Sequence, residues 1–396
     1  MLNGRFIALG VTGSIAAYKA ADLASKLTQA GANVDVLMTE SATRFITPLT
    51  LRSVTGRPVF IDMFDPDTEM AEEHVEIARR ASAVIVAPAS ATTIARLAHG
   101  LAGDMVSLTV LATEAPVLIA PAMDGQMFED EATQANLAAL RGRGYIVVGP
   151  AEGRLASGRI GPGRLVETEA LLGALKQALG RDGDFAGRRV VVTAGGTREP
   201  LDPVRFISNY SSGKMGYALA EAARDRGADV TLVSTVTAMP CPYGVRLAAV
   251  ETVAEMREAV LAACDGAHAL IMAAAVSDYR PAERAERKVK KGPQEKSLAL
   301  EKTGDFLLEV KGSIIKVGFA AETDDLLANA RAKLNAKGLH LIAANDLTAA
   351  GPGFGTDTNQ ITIIDASGEG EEVPLLSKYD AANRLLDRVA PLFEKG

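Results

Sequence analysis

The residues with the clearest capacity for chemistry lie in the segment 190–216, which reads VVVTAGGTREPLDPVRFISNYSSGKMG. An apolar strand pattern runs into a Gly-Gly turn at 195–196, and the residues SSGK at 211–214 then precede a helical pattern. Backbone N–H groups at a helix start, two hydroxyls and a lysine together favour an anion such as phosphate. This is not a Walker A loop, which would need Gly in place of Ser208 and Ser or Thr in place of Met215.

Further polar residues follow the next apolar runs of this half. The segment 272–280 (MAAAVSDYR) ends a strand pattern in small residues that allow a ligand ring to approach closely, and Asp278 follows. Lys333 and Lys337 are four residues apart, which places them on one face of a helix. The charged segment 283–296 is either a solvated loop or a flap over a bound nucleotide. Several lysines near strand ends suit a triphosphate, although each one alone is typical of a surface lysine.

The N-terminal half has its own glycine-containing turn at 10–19 (GVTGSIAAYK), where a strand pattern ends and a helix begins. It lacks the G-x-G-x-x-G spacing of a dinucleotide site. Hydroxyl residues also follow the next strand patterns, at 38–41 (MTES) and 87–90 (APAS). Because ligands bind at the carboxyl ends of parallel strands, these segments favour a flat ring with a phosphate tail, such as a flavin mononucleotide.

Elements must bring these segments together. Short apolar runs alternate with helical patterns, which predicts parallel sheets covered by helices on both faces. Strands are predicted at 6–11, 33–38, 84–87, 117–120, 146–148, 188–193, 269–273, 315–319, 340–343 and 360–364. The polar segment 180–187 is expected to be a linker, whereas 121–127 and 152–164 are expected to be irregular loops. The predicted fold is two doubly wound, Rossmann-like α/β domains over residues 1–180 and 187–396.

Composition excludes several functional classes. The chain has 396 residues, of which 48% are hydrophobic, and a net charge of -7 that argues against nucleic-acid binding. Four histidines and two cysteines without a Cys/His cluster argue against a zinc site. No apolar run reaches the roughly 20 residues that a membrane span needs. Because no export signal is seen at the N-terminus, a cytoplasmic location is expected.

The motifs GSIAAYK, PAS and PAM, with the later IGPGR, resemble those of the flavin-dependent cysteine decarboxylases. The resemblance covers about residues 5–175. It implies a flavodoxin-like domain that decarboxylates phosphopantothenoylcysteine, with FMN supplying the redox chemistry and His74 handling protons. The FMN-binding residues that it implies are Gly13, Ser14, Ile15, Thr39, Ser41, Phe45, Pro88, Ala89, Ser90, Thr93 and Ser107.

Two positions depart from the pattern of these decarboxylases. Asp124 stands where they usually have an asparagine, and Ser157 stands where they usually have a proton-donating cysteine. An ionised aspartate cannot donate a hydrogen bond to a substrate carboxylate, and a serine hydroxyl is a far weaker acid than a thiol. Both positions are therefore candidate catalytic residues of a variant proton relay.

The C-terminal motifs TAGGTREPLDPVRFISNYSSGKMG, AAAVSDYR, GFAAET and AND resemble those of the phosphopantothenate–cysteine ligases. The resemblance implies formation of an acyl-cytidylate from 4′-phosphopantothenate and CTP, with Mg²⁺ neutralising the triphosphate, followed by attack of the cysteine amine. Asn209 would orient the intermediate, and Lys288 would stabilise charge at the α-phosphate. The CTP-binding residues would be Ala273, Ala274, Asp278, Lys288, Gly304, Asp305, Phe306, Leu307, Phe319, Lys333 and Lys337. The phosphopantothenate-binding residues would be Asn209, Ser211, Ser212, Gly213 and Lys214.

Together, the N-terminal and C-terminal motifs resemble those of the bifunctional bacterial coenzyme A biosynthesis proteins. This resemblance implies ligation followed by decarboxylation. It also implies a homo-oligomer, which would be a dodecamer. The main alternative is a ligase whose flavin domain binds FMN but is impaired in decarboxylation, because of Asp124 and Ser157. A nonenzymatic flavoprotein regulator and a nicotinamide oxidoreductase are further alternatives. The C-terminal lysines argue against the regulator, and the glycine spacing argues against the oxidoreductase.

Overall fold

The computed structural model describes residues 1–64, 73–290, 297–322, 326–346 and 355–394. The chain divides into two compact units, Met1–Leu179 and Gly180–Gly396. None of the described helices combines the length and apolar character that a membrane-spanning segment requires.

The N-terminal unit is built on a six-stranded parallel sheet in the order β3-β2-β1-β4-β5-β6. Its strands are β1 (Phe6–Val11), β2 (Asn33–Met38), β3 (Val59–Phe60), β4 (Ala83–Ala89), β5 (Val117–Pro121) and β6 (Ile146–Val147). The strand order reverses between β1 and β4, so a crevice opens at their carboxyl ends. The predicted doubly wound fold is confirmed for this unit.

Helices of the N-terminal unit follow most of its strands. They are α1 (Lys19–Gln29), α2 (Pro48–Thr55), α3 (Glu73–Arg80), α4 (Ala91–His99), α5 (Met105–Ala112), α6 (Gly125–Glu129), α7 (Glu131–Gly142) and α8 (Thr168–Gly180). Short 3-10 turns at Ile15–Tyr18 and Glu40–Arg44 directly follow β1 and β2. Side chains at these strand ends cap the following turns and helices, which ties the polar residues of the crevice to the fold.

The expectation of irregular loops at 121–127 and 152–164 is wrong. Residue 121 ends β5, residues 125–129 form α6, and β7 (Ala151–Arg154) pairs antiparallel with β8 (Ile160–Arg164). Glycine permits this hairpin to lie close to the turn between β5 and α6. Gly163 has a φ of +136°, and a β-carbon there would stand 2.2 Å from the carbonyl oxygen of Met123.

The C-terminal unit has an eight-stranded sheet in the order β13-β12-β9-β14-β17-β18-β19-β20. The strands of the unit are β9 (Arg189–Ala194), β10 (Arg198–Pro200), β11 (Phe206–Ser208), β12 (Asp229–Ser234), β13 (Arg246–Ala249), β14 (Ala269–Met272), β15 (Tyr279–Pro281), β16 (Leu300–Lys302), β17 (Ile315–Glu322), β18 (Leu341–Asp346), β19 (Thr358–Asp365) and β20 (Gly370–Ser377). The first six strands of the sheet are parallel, and β19 and β20 extend it antiparallel. The doubly wound fold is confirmed here too, although β20 was not predicted.

Helices cover both faces of the second sheet. They are α9 (Lys214–Asp225), α10 (Val253–Ala263), α11 (Leu326–Lys337) and α12 (Lys378–Val389), with 3-10 turns at Phe306–Glu309 and Ala390–Glu394. The α9 and α12 helices share one apolar core with Val190 and Val192, whereas α10 and α11 share the other with Val191. Because side chains alternate along a strand, these cores lie on opposite faces of the sheet.

The expected linker at 180–187 is instead part of the C-terminal unit. Phe185 is fully buried in the core that α9 and α12 share, and its ring meets that of Phe393 edge to face at 5.2 Å. Arg226 pairs with Asp184 in the same segment and lies over the Phe185 ring. A single aromatic residue among polar neighbours is enough to anchor this segment to the core.

We expect the stability of the C-terminal unit to fall in mild acid because of His268. Its half-buried ring accepts a hydrogen bond at Nδ1 from the backbone N–H of Arg189, at 2.9 Å. Burial, and then the charges of Arg188 and Arg189, lower the pKa of His268. Since an unfolded histidine titrates near pH 6.5, the stability that the neutral ring contributes is present above about pH 6.5. It is lost as the pH falls through the folded pKa.

An NMR titration of the histidine side chains checks this expectation, because the chain has only four of them. Comparison with His268→Gln assigns the resonance, and a His268 pKa at or above 6.5 would contradict the expectation.

Candidate active sites

The C-terminal unit contains a cavity of about 460 Å³ where the parallel strands of its sheet end. The walls come from the start of α9, the end of β14, the residues before and within the 3-10 turn at Phe306–Glu309, and α11. The predicted residues that line the cavity are Asn209, Ser211, Ser212, Gly213, Ala273, Ala274, Asp278, Gly304, Asp305, Phe306, Leu307, Phe319, Lys333 and Lys337. Residues from five separate segments of the sequence thus meet around one cavity.

One wall of this cavity is the N-terminal turn of α9. The helix begins after Gly213, and no side chain of Gly213 exists to cap it. Backbone N–H groups in a first turn have no partner within the helix, and here Met215 and Gly216 of that turn line the cavity. Asn209 stands beside them, and its side-chain amide donates a hydrogen bond to the carbonyl oxygen of Val276 at 3.2 Å. This wall is suited to an anion.

The opposite wall carries the residues predicted to bind a nucleotide. The small residues Ala273 and Ala274 leave room for a ring, and the backbone N–H of Ala274 is held by the hydroxyl of Thr193 at 3.0 Å. Lys337 pairs with Asp305 across the cavity margin at 2.9 Å. These contacts join α11 to the 3-10 turn at Phe306–Glu309, so the lysines are presented on a fixed surface.

Two predicted lysines lie outside the cavity lining. Lys288 is exposed on the charged segment before residue 291. Its neighbours are anchored, because the backbone N–H of Val289 donates to Asp202 at 3.1 Å and its carbonyl oxygen accepts from Arg205 at 2.8 Å. Lys214 is not part of the cavity lining, and its ammonium binds Asp357 at 2.7 Å. The segment 291–296, with Lys291, lies outside the described residues.

In the N-terminal unit, polar residues gather at the carboxyl ends of β1, β2 and β4. Ser14 and Thr39 cap the 3-10 turns that follow β1 and β2, and Ser90 caps α4. The hydroxyl of Thr12 links two of these ends, since it donates to the carbonyl oxygen of Pro88 at 2.8 Å and accepts from the N–H of Ser90 at 2.9 Å. Thr93 lies 3.1 Å from Ser90, oxygen to oxygen.

These residues fit a flat ring with a phosphate tail. Gly13 lies against Ser41, and a β-carbon at Gly13 would stand 2.5 Å from the β-carbon of Ser41. Only glycine therefore allows the first two strand ends to approach so closely. Ile15 and Phe45 beside them are 62% and 49% exposed, which offers apolar surface next to the helix starts. Pro88 and Ala89 belong to the end of β4, and Ser107 lies buried in the capping box of α5 with Asp104.

Asp124 and Ser157, the two residues that depart from the decarboxylase pattern, contact each other. The hydroxyl of Ser157, at the tip of the β7–β8 hairpin, donates to a carboxylate oxygen of Asp124 at 2.5 Å. Asp124 also caps α6 by accepting from the N–H of Gln126 at 3.2 Å. These two hydrogen bonds, Ser157 first, lower the pKa of Asp124, and the charge of Arg159 adds to them. Asp124 is therefore ionised at neutral pH.

His74 lies half-buried in the first turn of α3, directly after the undescribed residues 65–72. Within the part of the chain that the structure describes, no hydrogen bond joins His74 to Asp124 or Ser157. Its catalytic role stays a prediction.

Comparison with known proteins accounts for both units. Residues 1–180 match the family model "Flavoprotein", and residues 185–392 match "DNA/pantothenate metabolism flavoprotein C-terminal domain". The Coenzyme A biosynthesis bifunctional protein CoaBC of Bacillus subtilis (strain 168) is 45% identical, over 99% of this chain and 98% of its own. The protein of the same name from Escherichia coli (strain K12) is 43% identical, over 100% of this chain and 98% of its own. The chain belongs to this bifunctional family.

The family predicted from the motifs is thus confirmed. Among solved structures, the crystal structure of the C-terminal domain of a coenzyme A biosynthesis bifunctional protein CoaBC is 38% identical. The match covers 54% of this chain and 100% of that chain, with a TM-score of 0.47.

The cavity residues outside the predicted set include the polar side chains of Asn345, Asn359 and Lys378. Asn345 is the second-to-last residue of β18, and its side-chain oxygen is buried without a hydrogen-bond partner among the described residues. The AND motif that contains it was the signal that could have identified it. Asn359 and Lys378 come from the start of β19 and the start of α12, and no motif marked them. Among the described residues, no group of three His, Cys, Asp or Glu side chains is placed to hold a metal ion.

Proposed function

We propose that the C-terminal unit ligates cysteine to 4′-phosphopantothenate and that the N-terminal unit decarboxylates the product. The observation that carries the ligase proposal is one cavity lined both by the start of α9 and by Lys333 and Lys337 of α11. A substrate that carries both a carboxylate and a phosphate can place the carboxylate beside a bound nucleotide while its phosphate lies at the helix start.

The reaction proceeds in two transfers. The carboxylate of 4′-phosphopantothenate attacks the α-phosphate of CTP, pyrophosphate leaves, and the cysteine amine then displaces CMP from the acyl-cytidylate. Asn209, fixed to the carbonyl oxygen of Val276, orients the acyl group, and Lys288 stabilises the negative charge at the α-phosphate. Mg²⁺ enters with CTP, because it binds phosphate oxygens and its positive charge neutralises the triphosphate.

The N-terminal unit binds FMN at the carboxyl ends of β1, β2 and β4. Ser14, Thr39 and Ser90 hold the helix starts that would face its phosphate and ring, and Ile15 and Phe45 provide the apolar surface. When bound, FMN supplies the redox chemistry that allows the cysteine carboxylate to leave as CO₂. Asp124 and Ser157 hold and move the proton beside the substrate, with His74 in a supporting proton-handling role.

The proposal extends to assembly and location. Family resemblance favours a homo-oligomer, a dodecamer in which trimers of flavin domains are linked by ligase dimers. Both cysteines are free thiols, and burial raises the pKa of Cys264 to about 11, so this thiol is unreactive. Free thiols are typical of the reducing cytoplasm, where we place the protein.

Incubation with 4′-phosphopantothenate, cysteine and CTP tests both activities at once. We expect pyrophosphate and CO₂ in equal amounts from purified yellow protein, and CO₂ alone from supplied phosphopantothenoylcysteine. Absence of pyrophosphate would reject the ligase proposal, and absence of CO₂ from supplied phosphopantothenoylcysteine would reject the decarboxylase proposal.

A further inference from the structure

The ligase cavity is lined by a buried lysine whose positive charge is not explained by the packing of the unit. Lys378 is only 7% exposed and lines the cavity together with Ser211, Ser212, Gly213 and Asn359. Its ammonium donates to two backbone carbonyl oxygens, those of Thr356 at 2.7 Å and Thr358 at 2.8 Å. Among the described residues, no carboxylate lies within ion-pair distance of it. These carbonyl groups accept from two of its three N–H donors but carry no net negative charge.

The position of Lys378 along the chain adds to this cost. Lys378 is the first residue of α12, and a positive charge is unfavourable at the positive end of a helix dipole. Burial lowers the pKa of Lys378, and the nearby charge of Lys214 lowers it further, while Asp357 opposes both. A buried cation with so little compensation is retained where an anion binds it.

Lys214, the cation that the sequence motif assigned to the phosphate, is occupied elsewhere. Its ammonium pairs with Asp357 at 2.7 Å and donates to the carbonyl oxygen of Gly355 at 3.0 Å. It does not line the cavity. These contacts hold the segment that precedes β19 against the start of α9, and this is the segment whose carbonyl groups receive Lys378.

The lysine side chains of the cavity come from helices on opposite faces of the sheet. Lys378 comes from α12, which packs with α9 on one face, whereas Lys333 and Lys337 come from α11 on the other. Lys378 therefore adjoins the start of α9, whereas Lys333 and Lys337 adjoin the nucleotide wall. A phosphate bound at the start of α9 would therefore lie among the cavity-lining residues that include Lys378.

We propose that Lys378, with the first turn of α9, binds the phosphate group of the acyl substrate, and that Lys214 positions the 355–357 segment instead. The inference rests on the proposed ligase function and names the residue that makes the site specific for a phosphorylated acid. A phosphomonoester brings two negative charges to a place where the fold holds one buried positive charge and free N–H donors.

Steady-state ligation by Lys378→Gln tests the proposal. Glutamine can still donate to the carbonyl oxygens of Thr356 and Thr358 but carries no charge. We expect the KM for 4′-phosphopantothenate to rise between about tenfold and a hundredfold, as for loss of a hydrogen bond to a charged group. The KM values for CTP and for unphosphorylated pantothenate should stay within about twofold of wild type, as should decarboxylation of supplied phosphopantothenoylcysteine.

Lys311→Gln is the matched control, because Lys311 is an exposed lysine of the same unit outside the cavity lining. Lys378→Met is the second variant if the glutamine destabilises the fold, and loss of the thermal shift induced by 4′-phosphopantothenate is its readout. An unchanged KM for 4′-phosphopantothenate overturns the proposal, as does a rise in the KM for CTP alone. A phosphate-specific loss in Lys214→Gln instead of Lys378→Gln also overturns it. Wild-type protein without ligation would overturn the proposed function itself, so the two failures are distinct.

Discussion

Lys288→Gln is expected to reduce ligation by at least about a hundredfold while leaving the fold unchanged. Removal of one preorganised group that stabilises developing charge typically costs a factor of about 10²–10³ in kcat. The ammonium of Lys288 makes no hydrogen bond or ion pair with any described residue, so its removal breaks no such contact among them. Loss of pyrophosphate release would thus report on the reaction itself.

The anchored backbone around Lys288 explains why one side chain is expected to matter so much. Ala285 donates from its N–H to the carbonyl oxygen of Leu201 at 3.0 Å, and Val289 is held by Asp202 and Arg205. Asp202 is itself buried and forms two hydrogen bonds with the Arg205 guanidinium, which holds the pKa of Asp202 far below its usual range. Lys288 therefore lies between two anchored residues, Ala285 and Val289. This anchoring reduces the conformational entropy that is lost when the Lys288 side chain contacts the nucleotide.

Two controls accompany this variant. Arg284→Gln removes a positive charge from the same exposed segment and should leave ligation within about threefold of wild type. Decarboxylation of supplied phosphopantothenoylcysteine should be unaffected in both variants, since the other unit performs it. Full ligation by Lys288→Gln would exclude this lysine from the reaction.

Ser157→Ala is expected to slow CO₂ release by about 10²–10⁴-fold, the usual contribution of a positioned proton-transfer group. Asp124→Asn is expected to have a loss in the same range. Because the two side chains are joined by a 2.5 Å hydrogen bond, the double variant Asp124→Asn/Ser157→Ala should be little slower than either single variant. Such non-additivity is the sign of two groups that act as one.

The geometry shows why the pair differs from an asparagine and a cysteine. Ser157 donates its only hydroxyl proton to the Asp124 carboxylate, and we propose that in the reaction Asp124 accepts the proton and Ser157 relays it. The N–H of Gln126 keeps the carboxylate charged and in place. We therefore expect the combined change Asp124→Asn/Ser157→Cys, which installs the usual residues of these decarboxylases, to release CO₂ faster than either single replacement.

FMN absorbance and unchanged ligation serve as the internal controls for these variants. Additive losses in the double variant would mean that Asp124 and Ser157 act separately. Wild-type protein that is yellow, ligates cysteine and releases no CO₂ would support the alternative of an impaired flavin domain.

Much of the architecture was predictable because local patterns determine it. The apolar runs at 6–11 and 33–38 and the hydroxyl residues that follow them were sufficient to predict a parallel sheet with a ligand crevice at its carboxyl edge. Motifs on separate strands could be assigned to one cavity for the same reason, since parallel strands end at the same edge.

What could not be predicted depends on contacts between distant residues. Ser157 and Asp124 are 33 positions apart, and each was noticed singly, but only the closely packed hairpin at Gly163 brings them together. Lys378 follows the antiparallel strands β19 and β20, and no short-range pattern specifies that these return α12 to the start of α9. The sequence motif assigned Lys214 to the phosphate. The motif does not show that the Lys214 ammonium forms an ion pair with Asp357 in the folded unit.

The burial of Phe185 decides where the chain can be cut. A recombinant ligase fragment that begins at residue 187 would lose this ring, and with it the edge-to-face contact of Phe393 and the cation–π contact of Arg226. Deletion of a buried phenylalanine side chain typically costs about 3–5 kcal/mol, a large share of the stability of an ordinary domain. A fragment that begins at Gly180 keeps the ring, so the seven residues between these two starting points separate a stable enzyme from a marginal one.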